Sequence, residues 1–189
     1  GIGGAGRSVA TYLLDAIGSK GTLYLSNRTP TAALSLLADL TPSSNVQYVE
    51  YPVPSSLFPQ LDYVINCTTV GFDSWSTIDN RNYLLQPYSP LCGIDSEPYI
   101  ENENGGKRGS YMKHARPGIV RSLEKTMRIV ENMKASAKVI DIIYQPEKTI
   151  LLTVSEWYGL STLNGISMNL EQAVLAFLKV VKPDCSADL

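Results

Sequence analysis

Gly1-Ile2-Gly3-Gly4-Ala5-Gly6 sets glycines at the spacing Gly-x-Gly-x-x-Gly. That spacing suits a backbone that wraps a pyrophosphate. The first glycine permits a tight turn, the second lets the chain approach the phosphates, and the third brings helix close to strand. Amide groups at the start of the helix then face the anion with a favourable dipole. Further on, Asn27-Arg28-Thr29 stands where such folds meet the adenosine ribose, about 20 residues after the turn. An acid there would bind the ribose hydroxyl of NAD, whereas an arginine accommodates a 2′-phosphate through charge-assisted bonds. The chemistry expected is therefore binding of NADP. A glycine-rich terminus and an exposed loop arginine fit the same residues without any ligand.

Two further segments lie where a cleft would form. Thr68-Thr69-Val70-Gly71 follows the apolar run Asp62–Cys67, and Tyr144 ends the run Lys138–Tyr144. Ligands of parallel sheets bind beyond the carboxyl ends of the strands. A strand-ending turn and a rim tyrosine account for these residues equally well. The single histidine, His114, sits among Lys107, Arg108, Lys113 and Arg116, and reads as part of a solvated loop. Cys67, Cys92 and Cys185 are odd in number and widely spaced, which fits neither a disulfide framework nor a metal site. That cysteine usage suits a reducing compartment, and a cytoplasmic location is expected.

Composition narrows the class further. The chain has 189 residues, enough for one sizeable core. Hydrophobic residues at 44% and charged residues at 18% describe an ordinary globular domain. A net charge of −2 gives no electrostatic footprint for nucleic acid. No apolar run reaches the ~18 residues of a membrane span. The expected partner is a small-molecule substrate, and the expected assembly is a monomer or homodimer.

The elements that must position these residues alternate. Helical spacing covers Ser8–Ile17, a strand follows at Thr22–Ser26, and Pro30 opens a second helix. Val46–Val49 and Asp62–Cys67 read as strands, and Ile119–Ser136 reads as an amphipathic helix. Lys138–Tyr144 is a strand, Thr149–Tyr158 a helix, and Ile166–Val181 a last helix that Pro183 ends. Strand and helix in turn predict a Rossmann-like α/β fold, a doubly wound parallel sheet with helices on both faces. The whole of 1–189 reads as one cofactor domain with an insertion at 73–117, where Pro, Gly and Tyr break the alternation. A glycine turn needs a strand before it, and Gly1 opens the chain. The expectation is the C-terminal part of a longer protein whose first strand lies upstream.

In this order the pieces resemble the C-terminal half of the shikimate/quinate dehydrogenase family. Gly-x-Gly-Gly-Ala with Arg7, then Asn27-Arg28-Thr29, is similar to its NADP-binding turn and adenosine site. Ile65-Asn66-Cys67-Thr68-Thr69-Val70-Gly71-Phe72 resembles its Asn-Ala-Thr-x-x-Gly-Met segment. Asp141 to Leu152 resembles its Asp-x-x-Tyr-x-Pro-x-x-Thr-x-Leu-Leu segment, and Gly165-Ile166-Ser167-Met168 with Gln172 its closing helix. The resemblance implies that Gly1, Gly3, Gly4 and Ala5 hold the pyrophosphate, and that Asn27, Arg28 and Thr29 hold the 2′-phosphate end. It sets Thr68, Ile142 and Gly165 near the nicotinamide, and Tyr144 and Gln172 at the substrate. The implied activity is NADP-dependent shikimate dehydrogenation, with an NAD-using quinate/shikimate enzyme and a non-catalytic NADP-binding regulator as alternatives. The family's Ser-x-Ser clamp and Lys–Asp catalytic pair belong to an N-terminal domain absent from this sequence, so no catalytic residue is expected in the chain. Phe72 for Met and Asn169 for Leu depart from the family's pattern and bear on substrate preference.

Overall fold

A computed structural model describes residues 1–40, 45–72, 75–78, 81–84, 88–92 and 108–181. Cys185, Pro183, Lys107 and the middle of the 73–117 stretch lie outside the described residues, as does the side chain of His114.

Helix α1 (Gly4–Ile17) starts directly from the glycine turn, with Gly3 as its cap residue. Strand β1 (Leu23–Leu25) pairs in parallel with β2 (Val46–Tyr48), and α2 (Pro30–Leu40) connects them. Pro30 supplies the fixed backbone angle that suits a first helical turn. One apolar cluster fills the space between these elements: Ile2, Ala10, Leu14, Leu25, Ala33, Leu36 and Val46 are all buried.

Strand β3 (Tyr63–Asn66) pairs in parallel with β6 (Lys138–Asp141), which pairs in parallel with β7 (Ser161–Leu163). Helix α3 (Arg108–Glu131) and helix α4 (Ile150–Trp157) cover this sheet. The second cluster lies there, with Phe58, Val130, Val139, Leu151 and Val154 almost wholly out of water. Helix α5 (Ile166–Val181) closes the described chain.

Among the described residues all strand pairs are parallel except β4 (Trp75–Ile78) with β5 (Arg81–Leu84), which are antiparallel and lie within 73–117. A doubly wound sheet runs 3-2-1-4-5-6. The pair β1-β2 and the order β3-β6-β7 are compatible with positions 2-3 and 4-5-6 of that order. Among the described residues the two groups share no ladder. The glycine turn touches both groups, at Asn27 past β1 and at Cys67 and Thr68 past β3.

Three sequence expectations change. The helix expected over 119–136 runs over Arg108–Glu131 and carries Pro117 inside it. Proline costs one backbone hydrogen bond to the preceding turn, but a helix long enough to pack elsewhere tolerates it. Arg108, Lys113, His114 and Arg116 are thus on a helix and not in a loop. Strand β7 was not expected, because Ser161-Thr162-Leu163 is too short and polar to show alternation.

Candidate dinucleotide-binding site

The glycine turn is built from both sheet groups. The amide of Ile2 donates to Asn27 Oδ1 at 3.0 Å, tying the turn to the end of β1. On the other side Gly1 lies against Cys67 and Thr68, just past β3. A Cβ on Gly1 would stand 2.4 Å from Thr68 Cγ2, and one on Gly6 would stand 2.1 Å from the carbonyl oxygen of Gly1. Those contacts leave no room for a side chain. By contrast, a Cβ at Gly3 or Gly4 would meet nothing within 4 Å. The turn is therefore closed on its inner side and open where Gly3, Gly4 and Ala5 begin α1. An anion fits that open face, with the first helical amides toward it.

At the end of β1, Asn27 is spent on the framework, since its Nδ2 also donates to the carbonyl of Thr29 at 2.9 Å. Arg28 and Thr29 are exposed. Arg28 has no carboxylate partner among the described residues, unlike Arg7, which pairs with Asp39 at 3.3 Å. The resemblance gave all three residues of Asn27-Arg28-Thr29 one role. The structure sets them apart: Asn27 bonds to the turn, and Arg28 is exposed.

The turn after β3 is held by side chains. Thr68 Oγ1 donates to Asn66 Oδ1 at 2.7 Å and accepts from the amide of Val70 at 3.1 Å. The Thr68 hydroxyl thus shapes the loop, and its methyl packs against Gly1. Asn66 Nδ2 donates to Asp141 Oδ1 at 2.9 Å. Asp141 also accepts from the amide of Ile143 at 3.1 Å and from Thr149 Oγ1 at 2.8 Å. It is wholly buried, and burial is the main force pushing its carboxyl above the usual carboxylate range, with the bonds from Ile143, Thr149 and Asn66 opposing it. This network was not singled out from the sequence, although Asp141 and Thr149 stand in a segment that was. An acid at the end of an apolar strand, followed eight positions later by a cap threonine, is the available signal.

Thr149 caps α4 by accepting from the amide of Leu152 at 3.4 Å. Thr149→Val loses both this cap and the bond to Asp141. A loss of about 1–2 kcal/mol is expected, read as a lowered midpoint in urea unfolding with an unchanged slope.

Ile142 and Gly165 come together. Gly165 donates its amide to the carbonyl of Ile143 at 3.1 Å, and a Cβ on it would fall 1.8 Å from the carbonyl oxygen of Ile142. A cleft of about 330 Å³ opens beside them, between α1 and α5 and over β3, β6 and β7. Its lining is apolar and includes Val9, Ile65, Ile142, Gly165 and Met168. Tyr144 is 47% exposed just past β6, and Gln172 is exposed on α5. Both are open to a ligand, though no bond joins either side chain to the rest of the site among the described residues.

Parallel sheet pairs with a glycine turn leading into the first helix define a Rossmann-like α/β fold. Known proteins give the lineage. The chain is 27% identical over its whole length to the shikimate dehydrogenase (NADP(+)) of Gluconobacter oxydans, covering 49% of that protein. Over 60 residues it is 43% identical to the enzyme of the same name from Bacillus licheniformis, which is 32% of this chain and 22% of that one. No protein-family model matches. Among solved structures, shikimate 5-dehydrogenase of Thermus thermophilus in complex with NADP(H) and shikimate superposes with a TM-score of 0.54 at 22% identity, covering 94% of this chain and 46% of that one. Quinate dehydrogenase of Corynebacterium glutamicum in complex with NAD gives 0.56 at 20% identity, covering 94% and 46%. At such identities the superpositions speak for the fold. The chain is thus similar over its whole length to shikimate dehydrogenases, and its fold is that of solved shikimate and quinate dehydrogenases. It spans about half the length of the relatives that it matches from end to end.

Proposed function

We propose that the complete protein is an NADP-dependent shikimate dehydrogenase, converting 3-dehydroshikimate and NADPH to shikimate and NADP, and that residues 1–189 are its cofactor-binding domain. The observation that carries the reading is Arg28. It stands exposed and without a carboxylate partner among the described residues, beside a glycine turn that Asn27 fastens to the same strand end. A bare guanidinium at that place matches a 2′-phosphate, and an NAD site would call for an acid.

The residues divide the work. The open face at Gly3, Gly4 and Ala5 binds the pyrophosphate, and Arg28 binds the 2′-phosphate with Thr29 beside it. Ile142 and Gly165 give the cleft an apolar wall that keeps water from the nicotinamide side. Tyr144 and Gln172 offer a hydroxyl and an amide to the substrate's polar edge. When bound, the nicotinamide supplies the hydride chemistry. No proton-handling residue is assigned to this chain. That task, with the substrate clamp, is proposed for a separate domain of the complete protein.

Arg28→Ala in the complete protein is expected to weaken NADP by about tenfold to a hundredfold, the scale of one or two charge-assisted bonds. NAD should change less than about twofold, since it lacks the group that Arg28 meets. Calorimetric titration with both cofactors reads the result. Equal affinity of the unaltered protein for NADP and NAD would remove the 2′-phosphate site. Failure to form reduced cofactor from shikimate and NADP would remove the enzyme assignment.

A further inference from the structure

Among the described residues, Tyr51 links the 88–92 segment to the chain beyond β2. The β1–β2 ladder sets Leu25 opposite Tyr48, and the amide of Val49 continues it by donating to the carbonyl of Leu25 at 2.9 Å. The chain therefore leaves β2 on the same edge from which Asn27-Arg28-Thr29 leaves β1, with Tyr51 two residues past the last ladder bond. Arg28 is near enough for its charge to act on the Tyr51 phenol, whose ionisation burial pushes up and Arg28 pulls down. The phenol is half-buried, and its hydroxyl donates to the carbonyl of Cys92 at 2.9 Å.

Cys92 lies in the stretch 88–92, where Tyr88, Ser89, Leu91 and Cys92 are all buried. This segment is fastened to α3. The amide of Ser89 donates to Ser122 Oγ at 3.1 Å, and Cys92 Sγ lies 3.5 Å from Thr126 Oγ1. Contacts thus lead from α3 through 88–92 to Tyr51, and the Tyr51 phenol lies within reach of the Arg28 charge. An unpaired arginine on a surface loop samples many rotamers, and ordering it on a ligand costs entropy. A fixed phenol within reach of its charge, on the neighbouring strand end, biases that freedom beforehand.

We propose that Tyr51, anchored by the 88–92 segment of the insertion, is a positioning residue for Arg28 and sets how strongly the site prefers NADP over NAD. The inference rests on the reading of Arg28 as the 2′-phosphate contact. It adds a specificity-determining residue outside both sequence motifs, and it gives the insertion a part in cofactor choice.

The test is a double-mutant cycle in the complete protein, with NADP and NAD titrated separately. Tyr51→Ala is expected to weaken NADP by about fivefold, the scale of coupling between neighbouring residues. It should leave NAD within about twofold, because NAD does not engage Arg28. In the Arg28→Ala background, Tyr51→Ala should change NADP binding no further. Tyr51→Phe keeps the ring and drops the anchor, so a loss of about threefold is expected. Equal weakening of both cofactors overturns the proposal, as does a full Tyr51→Ala effect without Arg28. If the alanine variant fails to fold, unchanged NADP preference in Tyr51→Phe overturns it. Should the unaltered protein bind both cofactors alike, the reading of Arg28 itself fails. Should preference for NADP persist intact in Tyr51→Ala, only the role of Tyr51 fails.

Discussion

Asp141→Ala lowers stability by about 3–5 kcal/mol, the cost of stripping a buried charged group from partners that stay behind. Asn66 Nδ2, the amide of Ile143 and Thr149 Oγ1 would all lose their acceptor inside the core. Asn66 also shapes the turn that backs the glycine loop, so damage there reaches the site. Asp141→Asn should cost only about 1 kcal/mol. Its oxygen keeps the bonds from Asn66 and Ile143, and its amide can donate to a Thr149 hydroxyl that turns round. Urea unfolding of the two variants separates these outcomes, and equal losses would contradict the arrangement. The pH dependence follows from the raised carboxyl. In the folded state Asp141 holds its proton to higher pH than in the unfolded chain, whose value is about 4. Its contribution is thus fully present below that value and is lost as pH rises through the folded one. Asp141→Asn, which cannot titrate, should flatten that part of the stability profile.

Gly165→Ala should be nearly as damaging, at about 3 kcal/mol, the upper end of the usual overpacking range. The new methyl carbon would fall 1.8 Å from the Ile142 carbonyl oxygen, a backbone atom that cannot swing aside as a side chain would. Either β6 and the start of α5 separate, or the amide bond from Gly165 to Ile143 breaks. Both results move the apolar wall of the cleft. A fall in melting temperature with loss of cofactor binding in the complete protein is the expected outcome. Gly4→Ala serves as the comparison for stability, because a Cβ there meets nothing within 4 Å. If both alanines melt alike, the close approach at Gly165 is not what holds the helix start in place.

The glycine turn and the alternation of elements were legible because each rests on local rules. Glycine spacing, a proline at a helix start and runs of apolar strand residues do not depend on distant partners. The same reading missed the division of labour at Asn27 and Arg28. Asn27 reaches the amide of Ile2, 25 positions away in sequence, and no neighbouring residue signals that bond. Thr68 was placed near the nicotinamide by resemblance, yet its hydroxyl is committed to Asn66 and Val70. The buried set of Asn66, Asp141 and Thr149 escaped notice for a similar reason. Asn66 and Asp141 are 75 positions apart and meet only because β3 and β6 pair in register. Pro117 and the basic residues before it argued for a loop. A helix packed over a sheet along its later turns can carry a proline in its earlier ones, and local propensity does not show that packing.

Helix α5 has a consequence for the chain in solution. No residue of this helix is buried, and Ile166, Leu170, Val174, Phe177 and Val181 fall at helical spacing along one side, with Phe177 65% exposed. A net charge of −2 offers little mutual repulsion between molecules that carry such an oily stripe. Added salt screens even that small term. Self-association through this stripe is expected to be weakest in dilute solutions of low ionic strength.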